Sequence, residues 1–445
     1  MILANRFSYA DGFEDKCGAL LDRALAQVPV YRQWQRFDPG SEAGVEARFD
    51  ALPVLTKADM RDNFPHGLMP DDQDLAAGLA SEAIEYTFTS GTTADKVVNI
   101  WDQSWWDRSE AASWQLNRHL AGLAHPQKQA KLASALNVGI SCEEDLPMSH
   151  RILGNTLYLN EKTSVLQWQP RHLARMAAEL NAYRPVILEA NPSLLARLAY
   201  WAIDNATPVF SPAVIVFTFE FPSAIHLAAI GQVFRSALVS SYGTTETGFV
   251  LEQCADGLMH QNADFCRIDF QPLKDEFGGP DLGRIFVTTF DNPFNYIIRF
   301  DVGDLIRLHA GDACTCGRTE GMIADAVEGR VGNVTFTTAG GLVTTKALDD
   351  RIASVAAVRD YHLEQSGPVA YRLEAKLAPP ADPTAAGAAE AAAAAAAALR
   401  AVLADVYGAD GSFDVQIVAD ILPGPAGKYR RTRTDFEFSE SELFV

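Results

Sequence analysis

Between residues 131 and 330 short apolar runs alternate with amphipathic ones, and few folds accommodate that rhythm. KLASALNVGI is followed by RHLARMAAELNAY, RPVILEA by PSLLARLAYWAI, and PAVIVFTF by SAIHLAAIGQVF. ALVSSYG and a β-rich stretch containing GRIFVTTF and NYIIRFD complete the series. Strands that alternate with helices imply a mixed, mostly parallel sheet covered by helices, because parallel neighbours need a crossover helix between them. The first hundred residues read as helical and loop-broken. In LPVLTKADMRDNFP, Thr56 is placed to cap a helix, with Asp59 three residues on.

Past Gly329 the texture changes. DYHLEQ and YRLEAKLAP alternate as strands do, the alanine-rich run ending at Gly408 reads as a helix, and FDVQIVAD reads as a strand. The expected organisation is therefore α/β, with a large domain over 1–329 and a small α+β domain over 330–445. The alanine run is low in complexity and reads as a functionally silent surface helix. A length of 445 residues with 48% hydrophobic and 21% charged side chains suits such a pair.

The formal charge of −20 argues against nucleic acid and anionic membranes as partners, since both would repel it. Six thinly spread cysteines point to a reducing compartment. The acidic start MILANRFSYADGFEDK does not resemble a signal peptide. A cytoplasmic protein is expected.

Four segments carry the chemistry: TFTSGTTADK, SSYGTTETG at 240–248, RFDVGDLIRL at 299–308 and LPGPAGKYRR at 422–431. Singly, each is an ordinary polar turn. In this order and at these separations they resemble the acyl-adenylate-forming (AMP-binding) superfamily. LPVLTKADMRDNFP, RPVILEANPSLLARLA and CTCGR point to its phenylacetate–CoA ligase-like branch. The resemblance implies ATP-dependent activation of a carboxylic acid, aromatic in this branch, to an acyl-adenylate, followed by transfer to a thiol such as CoA. An amine, a hydroxyl or a carrier protein as acceptor, and a non-catalytic nucleotide-binding homologue, stay open. So does a homodimer.

Attack of a carboxylate on the α-phosphate of ATP brings two anions together, so charge must be neutralised and both reactants held in line. Thr89, Ser90, Gly91, Thr92 and Thr93 would cradle the leaving phosphates. Glu246 would hold Mg²⁺, with Thr245 donating to the α-phosphate. Tyr242 would cover the adenine, with backbone close at Gly243, and the resemblance places Glu220, in VFTFEF, among the nucleotide-binding residues. Asp304 would accept the ribose hydroxyls beside Arg330, and Lys428 would bridge carboxylate and α-phosphate from a closing loop. Asn137, Gly139, Phe219 and Ser241 are the candidate walls of the acid pocket. Cys254, His260, Cys314 and Cys316 could complete a tetrahedral structural zinc site, which the resemblance also implies; cysteines that are merely close in sequence are the competing reading.

Three positions depart from the family pattern. Ala94-Asp95 stands where a second glycine is usual, Gly332 occupies the hinge position usually held by Asp, and TTAGGLVTT only loosely matches the segment that lines the CoA tunnel. These changes leave adenylation in place and the CoA step open.

Overall fold

The computed structural model describes residues 7–88, 97–123, 127–135, 142–311, 313–382, 384–424 and 428–445. Strands β1 (Ile84–Phe88) and β2 (Val98–Asp102) form an antiparallel pair. The next twelve strands form one sheet. They are β3 (Gln129–Leu132), β4 (Ile152–Leu153), β5 (Thr156–Tyr158), β6 (Ile187–Ala190), β7 (Val214–Phe217), β8 (Ala237–Thr244), β9 (Gly248–Gln253), β10 (Met259–Gln261), β11 (Cys266–Pro272), β12 (Leu282–Thr289), β13 (Phe300–Leu308) and β14 (Ile323–Arg330).

The strand order is β11-β12-β13-β14-β10-β9-β8-β7-β6-β3-β5-β4. From β5 through β3, β6, β7 and β8 the pairing is parallel. Helices Pro170–Tyr183, Pro192–Asp204 and Ala224–Val233 supply the crossovers and bury one face over Leu188, Ala190, Ile215 and Phe217. The opposite face packs Val214, Val216 and Val239 against Trp114 of helix Gln103–Trp114. From β9 onward the sheet turns antiparallel, and the N-terminal helices pack on that half through Leu21, Tyr31 and Phe49. The mixed sheet with helical cover is thus realised, its parallel part confined to the βα repeats. Thr56 caps its helix in a reciprocal box with Asp59.

A second unit follows β14. Strands β15 (Thr335–Phe336) and β16 (Leu342–Val343) pair with each other. β17 (Val358–Gly367), β18 (Ala370–Leu377), β19 (Ser412–Ile417) and β20 (Thr432–Thr434) form a sheet ordered β19-β18-β17-β20. Helices Thr345–Ile352 and Ala385–Tyr407 cover it. The alanine-rich helix presents Ala395, Ala396, Leu399, Leu403 and Tyr407 to that core, so only its C-terminal half is anchored by large side chains. It stops at Gly408, whose φ of 114° suits a glycine.

The last residues return to the large unit. Leu443 and Phe444 are buried with Leu273, Leu282, Leu305, Val331 and Val334. The Lys274 N–H donates to the Leu443 carbonyl at 2.9 Å, and the Val445 N–H to that of Pro272 at 3.1 Å.

Candidate active site

The expected nucleotide residues converge at the C-terminal end of β8, beside β13 and β14. Tyr242, Gly243 and Thr244 end β8, and Thr245 to Thr247 turn the chain into β9. A Cβ at Gly243 would lie 2.1 Å from the Gly248 carbonyl oxygen, so only glycine lets the turn close. Within it Thr245 is half-buried, while the Thr247 N–H donates to the Thr244 hydroxyl at 3.2 Å.

Asp304 on β13 is the register partner of Arg330 at the end of β14. Its carboxylate accepts from the Tyr242 hydroxyl at 2.8 Å and lies 3.6 Å from the Arg330 guanidinium. Burial first, and the Asp304 charge second, push the Tyr242 phenol well above its ordinary pKa, so it remains a donor at neutral pH. Glu246 is buried, and among the described residues its carboxylate has no hydrogen-bond partner.

Lys428 joins this group from the second unit. Its side chain meets solvent on one side, yet packing lowers the ammonium pKa, with Arg330 as the next cause. Glu220, Asp304 and Glu246 act on it in the opposite direction. One cation is therefore acted on by acids drawn from three distant segments.

The backbone N–H of Tyr429, next to Lys428, donates to Glu220 Oε1 at 2.8 Å. Five further contacts hold the units together here, and a sixth braces Arg431 within its own unit. The Ser223 hydroxyl and the Ala224 N–H, at the start of helix Ala224–Val233, each donate to buried Asp349 at 2.7 Å. Arg431 donates to Asp360 at 2.8 Å and to His226 Nδ1 at 3.1 Å. Arg359 pairs with Asp204 at 2.6 Å, and the Tyr200 hydroxyl donates to the Arg359 carbonyl at 3.0 Å. None of these partners was singled out from the sequence. Arg431, inside the quoted LPGPAGKYRR, carried the one local signal.

The pocket candidates are placed as follows. Phe219 is 39% exposed with φ of 76°. Ser241 donates to Glu252 at 2.6 Å, and burial pushes that carboxyl up to about 8. Thr89, Ser90, Gly91, Thr92, Thr93, Asn137 and Gly139 lie outside the described residues, as do Ala94, Asp95 and Lys96. Gly332 sits in the turn Val331–Asn333, and a Cβ there would make only an ordinary contact of 3.6 Å with Glu440.

Cys254, His260, Cys314 and Cys316 bring their ligand atoms within 4.8 Å of one another. The Cys254 and Cys314 sulfurs are 3.7 Å apart, and the Cys316 sulfur is 3.4 Å from His260 Nε2. Zinc with Zn–S of about 2.3 Å at tetrahedral angles needs roughly 3.8 Å between sulfurs and roughly 3.5 Å from sulfur to nitrogen. The donor set fits that ion.

The fold defined by these elements is that of the acyl-adenylate-forming ligases. No protein-family model and no curated protein matches the chain. Among solved structures, it is similar to a 2-hydroxyisobutyryl-CoA ligase in the postadenylation state with R3-HIB-AMP. There the TM-score is 0.70 at 16% identity, over 95% of this chain and 89% of that one. Against the same ligase with 2-HIB-AMP and CoA in the thioesterification state the TM-score is 0.55, at 17% identity and equal coverage. An anthranilate CoA ligase bound to anthranoyl-AMP gives 0.50 at 12% identity, over 78% of this chain and 65% of that one.

Proposed function

We propose that the chain activates a carboxylic acid with ATP and passes the acyl group to a thiol, CoA in the first instance. In the first step a carboxylate oxygen bonds to the α-phosphorus and the bond to the leaving pyrophosphate breaks. In the second, a thiolate attacks the acyl carbon and AMP leaves. The observation that carries this reading is that the Tyr429 N–H beside Lys428 donates to Glu220 at 2.8 Å, in a site where Glu220, Asp304, Glu246 and Arg330 all act on the lysine charge.

In this reading Lys428 neutralises the carboxylate and α-phosphate as they approach, and Glu220, Asp304 and Glu246 favour its charged form. Asp304, oriented by Tyr242 and Arg330, keeps lone pairs for the ribose hydroxyls. Glu246, buried with no hydrogen-bonding partner among the described residues, suits Mg²⁺. When bound, that ion offsets phosphate charge. Zinc at Cys254, His260, Cys314 and Cys316 is structural, since four protein ligands leave no open position. Exposed Phe219 favours an aromatic acid.

ATP–pyrophosphate exchange against a panel of aryl, hydroxy and aliphatic acids tests the first step. CoA-dependent AMP release tests the second. Exchange with no acid while ATP still binds would overturn the enzymatic reading, and exchange without CoA-dependent release would move the acceptor to an amine, hydroxyl or carrier protein.

A further inference from the structure

Glu220 stands where a nucleotide-contacting residue was expected, yet its carboxylate is turned toward the second unit. The chain leaves β7 through Thr218, Phe219 and Glu220. The Glu220 N–H donates back to the Thr218 carbonyl at 3.0 Å across Phe219, whose φ is 76°. A three-residue turn with a bulky residue in the left-handed region is strained, and such strain persists where the surroundings fix a side chain for use. Here it aims Glu220 out of the sheet.

Both carboxylate oxygens are then occupied. Oε2 accepts from the Ser193 hydroxyl at 2.8 Å, at the start of helix Pro192–Asp204. Oε1 accepts from the Tyr429 N–H at 2.8 Å. That amide is the peptide group joining Tyr429 to Lys428, so a bond there fixes the backbone from which the lysine side chain springs. A carboxylate-to-amide bond is charge-assisted and directional, whereas the salt bridges elsewhere along this interface join side-chain tips. When the units part, Glu220 keeps Ser193 and loses Tyr429.

We propose that Glu220 is a positioning residue: by accepting the Tyr429 amide it docks the Lys428 loop and sets the lysine over the reacting carboxylate and α-phosphate. It acts on the lid and not on the nucleotide. This inference rests on the adenylating reading for its catalytic consequence only; the docking itself is independent of it.

The test uses the full-length chain with Glu220→Ala and the isosteric Glu220→Gln, which carries the test should the alanine variant fail to fold. Two readouts are taken. In pyrophosphate exchange, Glu220→Ala is expected to lower kcat about ten- to hundred-fold, as for loss of one charge-assisted hydrogen bond, with KM for ATP within about twofold. Consumption of supplied acyl-adenylate by CoA should stay within about twofold, because that step does not use the docked lysine. Glu220→Gln, retaining one acceptor oxygen, should recover part of the loss. In the second readout, pulse acetylation of the nucleotide-free protein is followed by mass spectrometry, and the Lys428 labelling rate should rise at least about fivefold in Glu220→Ala.

A raised KM for ATP at unchanged kcat would overturn the inference, as would unchanged Lys428 labelling. Faster labelling in a chain that shows no exchange with any acid would uphold the docking and sink the enzymatic reading instead.

Discussion

The two halves of the candidate site are held by different means. Tyr242, Asp304 and Arg330 sit on β8, β13 and β14 of one sheet, and a phenol-to-carboxylate bond with an ion pair locks their side chains together. Lys428 reaches the same place only because a second unit is docked through Glu220 to Tyr429, Ser223 to Asp349 and Arg431 to His226. The first half is set by backbone register, the second by an equilibrium between units. Substitutions in the first should therefore alter nucleotide binding, and those in the second the rate of the step that needs the docked lysine.

The largest effect is expected from Lys428→Ala. Exchange should fall about 10²- to 10³-fold in kcat with little change in KM for ATP, as for removal of one transition-state charge stabiliser. Equal loss in kcat and binding would erase the contrast between the halves. Asp304→Ala should give the opposite signature, with KM for ATP rising about ten- to hundred-fold as a buried hydrogen-bonding carboxylate is lost. Steady-state kinetics at varied ATP separates the two.

Asp349→Ala removes the acceptor of the Ala224 N–H and the Ser223 hydroxyl at the start of helix Ala224–Val233. It should lower unfolding free energy by about 2 kcal/mol in urea and speed Lys428 acetylation, while KM for ATP stays put. His226 supplies a pH handle on the same interface. Burial first, and Arg431 next, hold its pKa near 3, whereas an unfolded histidine titrates near 6.5. The unfolded or undocked chain therefore takes up a proton below about pH 6.5 that the docked one refuses until about 3. Stability is complete above that range and falls as pH drops through it. Thermal melts between pH 7 and 5 should show a decline that His226→Asn flattens; an unaltered slope would remove histidine from the account.

The smallest effect on exchange is expected from Cys314→Ser, about threefold or less, because the cluster lies among structural strands. Metal analysis should give about one zinc per wild-type chain and markedly less for the variant. A metal-free wild type would return these cysteines to the reduced, incidental reading.

What was legible in the sequence follows this same division. Tyr242 and Asp304 announce themselves because a turn glycine and a Gly-Asp pair are local signals, although the structure places that pair within β13. Gly243 shows why, since no side chain fits against Gly248. The Cys254, His260, Cys314 and Cys316 cluster was legible from residue type and the two close pairs in sequence. By contrast, Asp349 has no local mark: it lies inside helix Thr345–Ile352 and becomes a helix cap only for a segment 125 residues away in the chain. Glu220 was legible as a site residue but its partner was not, because Tyr429 offers a backbone amide, which every residue but proline carries. The antiparallel turn of the sheet past β8 was hidden likewise, since it depends on which strands pair and not on what they contain.

The return of the C-terminal residues has a consequence for how the second unit can move. Val331 and Val334 on the outgoing chain share one apolar cluster with Leu443 and Phe444 on the returning one, against Leu273, Leu282 and Leu305. The unit therefore hangs from two pins set side by side, like a door and not like a kite. It can swing about that line at small cost, but drifting away would pull two aromatic and aliphatic plugs out of their socket. A chain cut after Asp435 would keep one pin and gain the freedom to wander, trading a reproducible return to the same closed position for a search.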